Sequence, residues 1–232
     1  MIHTVFDILA WTGGILGGLW VRRHWLAAAP APTLTGHPFY FACAVVGAVL
    51  GAVALGTANM ALSGVPGVGR SIVGGLLGAI VAVELYKRCR GVSGSTGIVF
   101  VVPLALGIAI GRVGCLVSGL DDFTYGVPTT LPWGWDFGDG VPRHPVQLYE
   151  SLVMTGFLVW FLAALAGGRP LARRHGFAVF VGVYAVQRFA WEFLKPYPTV
   201  AGPFNLFHLA CLALGLYAGA MIIGRRSGQD AR

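Results

Sequence analysis

Charged residues stand inside stretches that are otherwise apolar: Arg112 in "GRVG", Arg188 and Glu192 in "YAVQRFAWEF", and Glu84 at the end of a further run. A charge at bilayer depth costs at least ~2.5 kcal/mol, so each must face a partner or a polar cavity. Arg188 and Glu192 are four residues apart and share a helix face, and Tyr184 one turn earlier extends the same polar stripe. Arginine suits phosphate because its planar fork donates two parallel hydrogen bonds and stays charged. Two arginines at membrane depth therefore suggest an anionic lipid headgroup, with Gly111 and Gly114 leaving room around Arg112. A purely structural ion pair, or an Arg112 that snorkels to the interface, is the competing reading.

"RHPVQLYE" adds Arg143, His144, Gln147, Tyr149 and Glu150. His144 precedes a proline and so falls in the turn before a helix. Its titration near neutrality suits proton transfer, although a lone histidine before a helix is also common as a structural residue. Glu150 is either a first-turn acid favoured by the helix dipole or a partner for Arg112. Asp121, Asp122, Asp136 and Asp139 lie in a loop rich in Gly, Pro and Trp. "FGDG" reads as a turn, and "PWGWDF" places aromatics where a loop can rest on the membrane interface. The acid spacing matches no EF-hand, so neither a metal nor a cofactor is expected.

These residues need elements to hold them. The chain has 232 residues, 56% hydrophobic and 11% charged, with mean hydropathy +0.74. Soluble domains carry about 25% charged residues, so the bilayer is the expected solvent. Seven apolar stretches, roughly 4–21, 38–58, 68–86, 97–118, 146–166, 176–194 and 203–223, each approach the ~20 residues that cross the hydrocarbon as a helix. The expected fold is an all-α membrane protein: one domain over 1–232, seven transmembrane helices and a long extracytoplasmic loop between helices 4 and 5. "NMALSGVPGVGRS" reads as a turn-rich connection between the second and third spans, and Pro103 as a possible kink in the fourth. Arg22 and Arg23, then Lys87, Arg88 and Arg90, then Arg169, Arg173 and Arg174, then Arg225, Arg226 and Arg232 follow alternate spans. The positive-inside rule then puts the N-terminus outside and the C-terminus in the cytoplasm.

The net charge of +7 is thereby read as topology signal, and no nucleic-acid partner is expected. Cys43, Cys89, Cys115 and Cys211 form no CxxC pair and read as buried, inert thiols. The first apolar run lacks a basic n-region and a small-residue cleavage site, so it is expected to stay as a span. No fixed-period repeat stands out, and "RRSGQDAR" reads as a short polar tail.

"GRVG", "HPVQLYE" and "YAVQRFAWEF" together resemble the prolipoprotein diacylglyceryl transferase family over nearly the whole chain. "VGGLLG" at Val73–Gly78 is similar to that family's His-Gly-Gly-Leu-Ile-Gly, and the signature block that opens at Gly111 runs to Gly126. The resemblance implies a multi-pass enzyme of the bacterial inner membrane that moves the diacylglyceryl group of phosphatidylglycerol to the lipobox cysteine of a prolipoprotein. It implies catalytic roles for Arg112, Arg188, Tyr184 and Glu192, and substrate contacts from Gly111, Gly114, Arg143, Gln147, Tyr149 and Glu150; Asp121 and Asp122, displaced beside the family's glutamate position, are expected to line the headgroup cavity and contact the substrate. Several positions depart from the pattern. Val73 stands where the family has a histidine often assigned to catalysis, Cys115 and Ser118 replace two asparagines, and Leu120 replaces a glutamate. His144 is then the nearest replacement base, with Asp121 or Asp122 next. The departures also leave open a divergent member with another acceptor, or one that only binds the lipid. A small transporter is the rival of a different class, though no inverted repeat supports it.

Overall fold

The computed structural model describes residues 2–27, 38–92 and 94–227; the end of the polar tail lies outside them. Seven α-helices carry the described chain: α1 (Ile2–His24), α2 (Pro38–Leu62), α3 (Ile72–Cys89), α4 (Val101–Ser118), α5 (Val146–Ala166), α6 (Pro170–Glu192) and α7 (Leu206–Ser227). One small hairpin, β1 (Trp135–Asp136) with β2 (Pro142–Arg143), lies between α4 and α5. Five helical stretches are long and apolar enough to cross a membrane: 4–24, 39–62, 97–122, 146–166 and 206–224. α3 and α6 fall outside that set. α3 carries Glu84, Lys87 and Arg88 within 18 residues, and α6 carries Arg173, Arg174, Arg188 and Glu192.

Element boundaries differ from the expected spans for local reasons. α3 begins at Ile72 rather than 68 because the Ser71 side chain caps it, accepting from the Gly74 amide at 3.2 Å. α2 runs on to Leu62, so "NMAL" is helical and the connection shortens. α6 starts at Pro170, the position where a proline's missing N–H is harmless. Pro103 falls in the first turn of α4, after a 3-10 turn at Gly97–Phe100, so it breaks no helical hydrogen bond. None of the four cysteines is in a disulfide among the described residues, and only Cys115 and Cys211 are buried; Cys89 is exposed at the end of α3 and Cys43 is half-buried.

Glycine decides how closely the helices approach. Between α2 and α3, Gly47 faces Gly78 and Gly51 faces Gly74, and Gly56 of α2 faces Gly69 in the connection before α3; a Cβ at any of them would collide with the opposite backbone. "VGGLLG" is thus a packing surface for α2. α1 lies antiparallel on α4, with Phe6 beside Gly114, Gly13 beside Ile110, and Gly18 under Pro103. α5, α6 and α7 follow in antiparallel order: Phe161 covers Gly176, and Gly182 meets Ala218. The fully buried centre is Met154, Phe161, Phe180, Tyr184 and Leu214. The outer faces of α1 and α2 remain apolar and exposed at Trp11, Leu16, Val45 and Leu50, as a lipid-facing surface would be.

The helix ends opposite the hairpin have their own polar fastening. Lys87 is buried and donates to both Glu84 oxygens at 2.8 and 2.9 Å, and the Tyr217 hydroxyl of α7 donates to Glu84 Oε1 at 3.0 Å. Nearby, Tyr40 and Thr96 share a 2.6 Å hydrogen bond between α2 and the segment before α4.

Candidate active site

Where α4 ends, α5 begins, α6 ends and α7 begins, their buried charges converge. Glu150, with no solvent exposure, is the hub. Arg112 Nε of α4 lies 2.8 Å from Glu150 Oε2. Arg188 of α6 donates through Nη1 to Glu150 Oε1, and its Nη2 lies 2.5 Å from Glu192 Oε1. Lys195, just past α6, brings Nζ to 3.2 Å from Glu150 Oε1. Asn205 Nδ2 donates to the free oxygen of Glu192, Oε2, at 3.0 Å. Asn205 also caps α7, its Oδ1 accepting from the amides of Phe207 and His208 at 2.9 and 3.1 Å. Three cations, Arg112, Arg188 and Lys195, therefore meet two carboxylates, Glu150 and Glu192.

Local structure fixes this register. Ser151, next to Glu150, donates to the Ala109 carbonyl at 2.8 Å and locks α5 to α4 one turn from Arg112. Arg112 Nη1 also reaches Cys115 Sγ at 3.9 Å. Arg188 and Glu192 pair along α6 as their i,i+4 spacing predicts. Tyr184, one turn before, is fully buried with its hydroxyl unpartnered among the described residues, and its ring stacks on Phe180.

The loop between α4 and α5 covers this end. Val127 N donates to the Leu194 carbonyl at 2.7 Å, and the Tyr197 hydroxyl donates to the Phe123 carbonyl at 2.8 Å, so the loop is docked on the segment after α6. Gly126 packs directly against the next segment: a Cβ there would stand 2.5 Å from the His144 carbonyl oxygen and 2.8 Å from Val146 Cγ2. Asp136 holds the hairpin turn, accepting from the Gly138 and Gly140 amides at 2.8 and 3.0 Å. Arg143 forks onto Asp139 with two 2.7 Å bonds and lies over the Tyr125 ring. Arg143 holds the Asp139 carboxyl low, at about 2, and is itself shifted upward by the same bonds.

The residues singled out in the sequence thus divide. Arg112, Arg188, Glu192 and Glu150 come together, with Tyr184 one helical turn from Arg188. Of the two readings for Glu150, partner of Arg112 is the one realised. Arg143 is engaged by Asp139 in the loop. His144, half-buried, has its Nδ1 3.4 Å from the Tyr149 hydroxyl, which also accepts from Trp133 Nε1 at 2.9 Å. Tyr149 in turn packs on Trp191, beside Glu192. Gln147 Nε2 donates to Thr124 Oγ1, which donates to Asp122 at 2.5 Å, while Asp121 is exposed. Gly114 is filled by Phe6, and Gly111 faces open space. Lys195, Asn205 and His208 were not signalled by spacing. Lys195 reads as a loop residue in "EFLKPYP", and His208 as a helix residue whose Nδ1 accepts the Asn205 amide at 3.1 Å.

No solved structure matches the chain. Among curated proteins it is 40% identical over 133 residues to a phosphatidylglycerol–prolipoprotein diacylglyceryl transferase of Nitratidesulfovibrio vulgaris (Miyazaki F), covering 55% of this chain and 48% of the relative. It is 37% identical over 155 residues to the protein of the same name from Bordetella parapertussis, covering 65% of this chain and 55% of the relative. A third, from the Hildenborough strain of Nitratidesulfovibrio vulgaris, is 34% identical over 198 residues, 78% of this chain and 73% of the relative. The chain thus spans about half the length of the first two. The family model described as prolipoprotein diacylglyceryl transferase matches residues 5–224, and with that coverage the chain belongs to the prolipoprotein diacylglyceryl transferase family.

Proposed function

We propose that the chain transfers the diacylglyceryl group of phosphatidylglycerol to the lipobox cysteine thiol of a prolipoprotein. The observation that carries this reading is the convergence of Arg112 and Arg188, from two helices, on one buried carboxylate. Guanidiniums aligned and desolvated in this way suit a phosphodiester and offset the charge that grows on the departing phosphate. Family membership and the names of the relatives support the same substrates.

In this reading the thiol sulfur bonds to the glycerol carbon that bears the phosphate ester. The carbon–oxygen bond breaks, and glycerol phosphate leaves with the electron pair. Arg112 and Arg188 grip the phosphate, Glu150 and Glu192 hold the two forks in register, and Tyr184 presents a free hydroxyl beside them. Gly111, Gln147, Tyr149, His144, Arg143, Asp121 and Asp122 shape the covered end through which the acceptor reaches the lipid, and the lipid enters sideways between helices. All seven helices span a bacterial inner membrane as one domain, N-terminus outside and C-terminus in the cytoplasm. The antiparallel helix order gathers Arg22, Arg23, Lys87, Arg88, Arg90, Arg169, Arg173 and Arg174 at the end away from the hairpin, which supports that orientation.

The test is incubation of the purified full chain with headgroup-labelled phosphatidylglycerol and a lipobox peptide. Lipid-modified peptide and released glycerol phosphate in equal amounts are expected. Absence of both overturns the reading.

A further inference from the structure

The charge count in the buried cluster leaves one proton to place. Arg112 from α4, Glu150 from α5, Arg188 and Glu192 from α6, and Tyr197 from the following loop all face Lys195. With every group ionised, three cations oppose two carboxylates in a site closed to water. Arginine does not release its proton in proteins. Lysine does when buried. A neutral Lys195 leaves two guanidiniums against two carboxylates, the balanced arrangement for a desolvated cluster.

The two histidines near this end each have one ring nitrogen engaged. The His144 ring is held against Tyr149. A neutral imidazole has one acceptor nitrogen, and on His208 that nitrogen takes the Asn205 amide. Val73, fully buried, carries no titratable group. Lys195 Nζ shares a carboxylate oxygen of Glu150 with Arg188, which sets it beside one of the two guanidiniums assigned to the phosphate.

We infer that Lys195 is the catalytic base, its neutral amine taking the proton of the acceptor thiol. This rests on the transferase reading above. Nζ accepts the thiol proton and becomes ammonium, and the sulfur's electron pair forms the sulfur–carbon bond. The carbon–oxygen pair departs on the phosphate, and the ammonium returns its proton to that monoester. Burial, and then the charge of Arg188, lowers the Lys195 ammonium from its ordinary range to about 8, so the free amine is a minority form at pH 7 that the reaction draws on and reaches half the population near pH 8. A free thiol titrates at about 8.5, so donor and acceptor are matched.

The experiment compares wild type with K195R, which holds a permanent cation that cannot give up its proton, and K195M, which keeps the length without charge. Transfer to a lipobox peptide is followed from pH 6.5 to 9.5, with binding of labelled phosphatidylglycerol and thermal unfolding measured in parallel. K195R should bind the lipid within threefold of wild type. It should lose transfer by at least ~100-fold at pH 7. The deficit of both variants should shrink as pH rises and solution supplies the thiolate. A K195R rate parallel to wild type, or a loss that is constant with pH, overturns the proposal while leaving the transferase reading intact. If K195R unfolds, K195M decides by the same profile. A wild-type protein that transfers nothing overturns the functional reading, and this proposal with it.

Discussion

Arg112 on α4 and Glu150 on α5 meet at 2.8 Å with side chains 5% and 0% exposed, and the second carboxylate oxygen of Glu150 receives Arg188 from α6. One glutamate thus aligns both guanidiniums. Glu150→Gln keeps the shape and removes the charge, leaving both guanidiniums facing Glu192 alone. Breaking a buried pair from one side costs ~3–5 kcal/mol. A lowered unfolding temperature of the detergent-solubilised variant, with transfer below the detection limit, is the expected result.

Arg188→Lys tests the fork rather than the charge. Arg188 uses Nη1 for Glu150 and Nη2 for Glu192, and a single ammonium cannot span both. Transfer should fall roughly 100-fold, as for loss of one transition-state donor. Membrane insertion should be retained, as checked by fractionation of the expressed variant.

Asp139→Asn addresses the loop. Arg143 depresses the Asp139 carboxyl to about 2, so the ionised form is the one the fold holds. The stabilisation is complete above the free carboxyl's ~3.9 and is lost as pH falls toward 2. Amide exchange across residues 134–143 should accelerate in the variant at pH 7. In wild type the same acceleration should emerge only as the solution is acidified below about pH 4.

Gly126→Ala inserts a methyl against the His144 carbonyl and the Val146 side chain, at the first residue of α5. Overpacking of this kind costs ~1–3 kcal/mol. The displacement travels into the α5 turn that carries Glu150. Activity should therefore fall by more than the stability change implies, measured as transfer rate at a temperature well below unfolding.

The sequence made the ionic partners on single helices legible. Arg188 and Glu192 share a face by spacing alone, and a lone charge such as Arg112 in an apolar run demands a partner before any coordinates exist. What spacing does not carry is contact between distant segments. Lys195 looks like a polar residue just past a span, because nothing in "EFLKPYP" reports that it folds back onto α5. The loop acids were legible in part. "FGDG" reads as a turn and Asp136 holds one through two backbone amides, but spacing does not report that Arg143 forks onto Asp139. Helix ends were misjudged where one side chain decides them, as Ser71 does for α3.

α7 is fastened at both extremities, to Glu192 through Asn205 where it begins and to Glu84 through Tyr217 toward its far end. It behaves as a spar clamped across the whole depth of the molecule. Any displacement of α3 pulls on Tyr217, so a disturbance on the arginine-rich rim has one stiff rod between it and Glu192.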